Sequence, residues 1–269
     1  MNISDSLEYC LFYDKPVKYK GLEIYPVLMN DYLPFHLYVQ SLLLDKNSTP
    51  NVKVISMTYL EFLYYLVNET PNLPYLYMLK ELLKMVLHNN DDNDYYFGTD
   101  EKGKALLKIK GETYTSTDFD NIVDIIFKQN GIEHIDDSIQ KEVRDAMDKA
   151  MDYKMQQNAY KMCSLEEQMI CVLISTSMKL EDIYNLTIRK FSKILERVDY
   201  KLHYQIYKSA EMSGMVSFKD GNPFKHWMAD LTKSDKYEEV KVDAEEMHNK
   251  IDNINKYNNY NHQFFELWL

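Results

Sequence analysis

Four carboxylates crowd the stretch "NNDDNDYYFGTD": Asp91, Asp92, Asp94 and Asp100. A calcium loop of the EF-hand kind needs oxygen ligands at positions 1, 3 and 5, glycine at 6 and glutamate at 12. Counted from Asp92, Tyr96 and Phe97 fall where a ligand and the glycine belong, so the stretch reads as a plain acidic loop. Asp120 and Asp124 stand four apart, a spacing that serves metal ligands and solvated helix faces equally well; the solvated face is the expectation. The histidines His36, His88, His134, His203, His226, His248 and His262 form no HxH or HExxH pair and no Cys/His cluster at zinc spacing. Cys163 and Cys171 have no adjacent histidine and are expected to be buried structural thiols rather than nucleophiles.

Only 7 glycines are present, and none builds GxGxxG, GxxxxGK[ST] or GxSxG. The reading is therefore of a protein that is not an enzyme and holds no cofactor or metal. A net charge of −11 opposes binding to nucleic acid or anionic membrane over the whole surface, because the long-range field repels phosphate. One local exception exists. In "LTIRKFSKILERVDYKLHYQIYKSAEMSG", Arg189, Lys193, Arg197 and Lys201 recur every four residues as a basic line, the alternative surface for nucleic acid. The same helix carries Phe191, Leu195, Val198, Leu202, Ile206 and Ala210 at steps of three and four, a single stripe expected to be buried. Tyr200, Tyr204 and Tyr207 are expected to flank that stripe. Because the turn before this helix lacks glycine and no second basic patch matches it, packing is the first reading and nucleic-acid binding the second.

The remaining elements must position this helix. With few Gly and Pro, the chain reads as mostly α-helical (α+β). "VKYKGLEIYPVL" (17–28) alternates around Gly21 as a short N-terminal β-hairpin. A helix follows from Asn30 or Asp31 with Leu37, Ser41 and Leu44 on its apolar face; Ser56 caps the next, whose Leu60, Leu63, Tyr64 and Val67 point inward; a third covers 75–88. A small antiparallel β insert around 95–115 turns at Lys102-Gly103 and at Gly111. Ser116 or Thr117 caps a helix that Asn130-Gly131 ends. A polar helix is expected over 136–159, a capping box at Ser164 and Glu167, a short helix in "LEDIYNL", and a long helix from Thr187 to Ser213. "MVSFK" reads as extended and "FKHWMADL" as a last helical piece. The domain reading is a hairpin plus helical part (1–90), the β insert (91–115), a helical C-terminal part (116–232) and a polar segment (233–269) ending in an aromatic anchor.

The block "LTIRKFSKILERVDYKLHYQIYKSAEMSGMV" with "FKHWM", and to a lesser degree "KYKGLEIYPVLMNDYLPFHLYVQSLLLDKN" and "ISMTYLEFL", resembles tail-morphogenesis proteins of bacteriophages of Gram-positive hosts. Such proteins are described as tail assembly chaperones or baseplate assembly proteins. The resemblance implies action through protein–protein contact with other phage tail or baseplate proteins, and homo-oligomers are compatible with it. It also implies residence in the host cytoplasm during assembly, or in the virion tail. It carries no individual functional residue. The 23 Tyr and 15 Met agree with contact surfaces, since large amphipathic rings and adaptable thioethers suit imperfect fits. Tyr200, Tyr204, Tyr207, Trp227, Phe264, Phe265 and Trp268 are the expected contact or anchor residues. The odd count of three cysteines suggests reduced thiols. The N-terminus has no basic stretch followed by an apolar one, so no signal peptide is expected. No apolar run approaches the ~18 residues of a membrane span.

Overall fold

The computed structural model of the protein describes residues 6–46, 51–70, 73–101, 103–132, 149, 163–214 and 226–229. The chain divides into two compact units, 1–227 and 228–269, and everything below concerns the first. The architecture is mostly α-helical with two small antiparallel sheets, a two-stranded hairpin and a three-stranded meander. Among the described residues no helix is long and apolar enough to cross a membrane.

A helix absent from the sequence reading opens the structure. α1 (Leu7–Tyr13) starts at Ser6, whose hydroxyl accepts the Tyr9 N–H, and ends at Asp14 in the left-handed conformation. Next, β1 (Val17–Tyr19) and β2 (Leu22–Ile24) pair antiparallel with Tyr19 opposite Leu22. The connecting Lys20 and Gly21 have φ of 42° and 81°. Two positive φ values in a two-residue loop match the right-handed twist of the strands, and glycine adopts the second without strain. β3 (Tyr95–Thr99), β4 (Ala105–Ile109) and β5 (Glu112–Tyr114) form the expected insert, with Lys110 and Gly111 repeating the same turn. Ala105, Leu107 and Ile109 point inward at the period of two that a strand imposes.

The helices follow the expected order with shifted caps. A 3-10 turn at Met29–Asp31 leads into α2 (Tyr32–Tyr38), which tightens into another 3-10 turn at Val39–Leu42. The tighter winding, three residues per turn, moves the inward face to Phe35, Val39 and Leu42. Leu37, expected on that face, is exposed; Ser41 is buried as expected. Ser56 closes the short α3 (Val52–Ile55) by donating to the Lys53 carbonyl at 2.9 Å. The cap of α4 (Tyr59–Glu69) is instead Thr58, in a reciprocal box with Glu61. A threonine three residues before a glutamate satisfies two orphan N–H groups at once, which Ser56 cannot do from its position. α5 (Tyr75–Val86) buries Met78, Leu79, Leu82, Leu83 and Val86 in one stripe.

α6 (Ser116–Asn130) is capped by Thr115 rather than by Ser116 or Thr117, again because Asp118 completes a box with it. Asp118 is buried and takes four bonds: from Lys20 Nζ at 2.6 Å and the Tyr19 hydroxyl at 2.8 Å on Oδ1, and from the Thr115 N–H and hydroxyl on Oδ2. The Lys20 ammonium, with the Thr115 and Tyr19 donors behind it, outweighs desolvation and holds this carboxyl far below the usual carboxylate range. Gly131, at φ 69°, stops the helix as expected. α7 (Leu165–Ser175) opens on the expected box of Ser164 and Glu167, followed by α8 (Leu180–Tyr184) and α9 (Ile188–Met212), which Thr187 caps.

One hydrophobic core runs from Cys10 through the hairpin, the meander and α6 to Met169, Val172, Ile183, Ile188 and Phe191. Cys163 and Cys171, expected to be buried, are exposed, and only Cys10 is enclosed. Cys171 follows Ile170 on the outer side of α7, while Met169 and Val172 face the core. Trp227 lies in a turn rather than in the expected helical piece. The helix expected at 136–159, the extended "MVSFK" stretch and the 233–269 segment lie outside the described residues, apart from Lys149.

Candidate functional site

The first turn of α9 is held from several sides. The Ile188 N–H donates to the Val27 carbonyl at 3.0 Å, the Met29 N–H donates to the Leu186 carbonyl at 2.8 Å, and Leu28 and Thr187 form an isolated antiparallel bridge. Val27 is itself fixed by α6, since its N–H donates to Asn130 Oδ1 at 2.9 Å. Gln129, the neighbouring residue, donates to the Ile24 carbonyl at 3.0 Å. Asp14 sits at the helix start, pairing with Lys190 at 2.5 Å and accepting from the Thr187 hydroxyl at 3.4 Å. A carboxylate here meets the positive end of the helix dipole. Arg189 reaches back to the Leu11 carbonyl at 2.9 Å. The first turn of α9 is thereby locked, with Ile188 and Phe191 in the core.

Beyond Leu195 the environment changes. At about 100° per residue, Leu195, Leu202 and Ile206 lie within ~20° of a common line, so the apolar stripe continues unbroken. It does not stay buried. Leu202 is 48% exposed and Ile206 65%, whereas Phe191 is 3% exposed. The expected single buried stripe is thus buried at its start, half-buried at Leu195 and Val198, and open to solvent at Leu202 and Ile206. Among the described elements α9 packs chiefly on α7 and on α6, and the residues it buries against them lie toward its start.

Tyr200, Tyr204 and Tyr207 do not flank this stripe. The same 100° rotation places them on the opposite side, among the basic line. That side is where Trp227 and His226 pack. Arg197 donates to the Trp227 carbonyl at 2.8 Å, and Lys201 Nζ lies 5.8 Å from the centre of the Trp227 ring. The Tyr204 ring meets His226 edge-on at 5.0 Å. All three tyrosines and Trp227 are half-buried. The structure therefore brings Tyr204, Arg197, Lys201 and Trp227 together as an intramolecular clasp. Of the basic line, Arg189 and Arg197 are bound to backbone carbonyls, and Lys201 is over an indole. Desolvation, then Arg189, pushes the Lys193 pKa down. Phe264, Phe265 and Trp268 lie outside the described residues.

A cleft of about 630 Å³ opens beside the anchored end of α9, walled by Asp14, Tyr25, Glu81, Lys84 and His88. Tyr25 and His88 stack at 4.1 Å across one side. Its charges are largely consumed within the fold: Asp14 by Lys190, and Lys84 by Glu81 at 2.7 Å and by Asp92. Asp92 and then Glu81 raise the Lys84 pKa and keep the ammonium charged. The acidic loop thus ties itself to α5, through Lys80 as well at 3.3 Å. Asp124 pairs with Lys128 at 2.6 Å on a solvated face. Among the described residues no group of three or more His, Cys, Asp or Glu is placed to hold a metal ion.

The family described as YomV second domain matches residues 154–232, a segment that includes α7, α8, α9 and Trp227. It is a phage-associated family, and the match is consistent with a phage protein. No curated protein and no solved structure matches the chain.

Proposed function

We propose that this chain is a non-enzymatic phage tail or baseplate protein that works by protein–protein contact, with the open stripe of α9 as its contact face. The observation that carries the reading is the exposure of Leu202 and Ile206 on the direct continuation of a core stripe. Apolar side chains in solvent leave roughly 25 cal/mol per Å² of burial unrealised, and a partner surface supplies it. The phage-associated match over 154–232 includes this helix and supports the setting. The partners are other tail or baseplate proteins, or further copies of the chain, met in the host cytoplasm during assembly or retained in the virion tail. Tail subunit is favoured slightly over assembly chaperone.

Quantitative mass spectrometry of purified virions, together with affinity capture from infected cells, tests the reading. A fixed copy number per particle identifies a structural subunit. Absence from particles with capture of tail proteins in the cell identifies an assembly factor. Absence from particles with no tail protein captured overturns the proposal.

A further inference from the structure

We draw no further inference here: the strongest candidate, the exposed Leu202–Ile206 stripe on the second half of α9, is the contact face already described, and nothing in the structure shows what covers it.

Discussion

The two halves of α9 share one apolar stripe and live in different surroundings. From Ile188 to Phe191 the stripe is enclosed, and four neighbouring groups (Asp14, the Leu11 carbonyl, Val27 and Leu186) fix the backbone and side chains around it. At Leu202 and Ile206 the stripe is open, while the opposite polar-aromatic side is held by Trp227. The difference shows that an amphipathic pattern states which face wants to leave water, not which of the described elements covers it.

The largest expected effect breaks the anchored half from its support. Residues 154–232 expressed alone lose Val27, Met29 and the α6 contacts that enclose Ile183, Ile188 and Phe191. The fragment is expected to lack cooperative thermal unfolding by circular dichroism; a sharp two-state melt would contradict the single core. Within the full chain, Phe191→Ala is expected to cost about 3–5 kcal/mol. Ile206→Ala is expected to change stability by no more than about 0.5 kcal/mol. Equal losses in urea titrations would erase the distinction between the halves.

A smaller effect concerns the support beneath the anchored half. Asp118→Asn removes charge-assisted bonds from a buried carboxylate and is expected to cost about 1–3 kcal/mol near neutral pH. Lys20 is largely exposed, so its share of that loss is small. The folded carboxyl lies below the unfolded value of about 3.9, so the unfolded chain binds the extra proton in acid. Its contribution is fully present above that value and is lost as pH falls below it toward the folded pKa. Denaturant titrations from pH 6 downward should therefore show an acid-side loss in the wild type that is weaker in Asp118→Asn.

An effect smaller than that of Asp118→Asn sharpens the open half. Arg197→Ala removes the bond to the Trp227 carbonyl and is expected to cost about 0.5–1.5 kcal/mol. In a Trp268→Phe background, the emission of Trp227 should shift to longer wavelength as the clasp loosens. Unchanged emission would mean that Trp227 is held by something other than Arg197.

Much of this was legible from local rules. The hairpin turns at Gly21 and Gly111, the Gly131 stop, the box at Ser164 and the cap at Thr187 each follow from a few adjacent residues. Where two local signals compete, as at Ser56 against Thr58 and at Ser116 against Thr115, the partner glutamate or aspartate decides the cap. Leu37 falls outside the inward face because the chain tightens from α to 3-10 winding, which leaves little trace in residue types. Long-range facts were not legible at all: Asn130 and Gln129 holding the hairpin exit, or Asp14 meeting Lys190 across the chain. The contact residues split along the same line. Periodicity located the stripe and the basic line, but only the fold revealed that Tyr204 and Trp227 face each other through His226, and that Leu202 and Ile206 are the exposed pair.

We propose that the stripe left open by the described elements is a contact face. The most direct test of this proposal is the yield of complete tailed particles from cells infected with a phage carrying Leu202→Asp and Ile206→Asp, the purified variant having been shown to melt like the wild type. The predicted result is a loss of complete particles with the protein still folded. Undiminished yield of complete particles would contradict the assignment of this face.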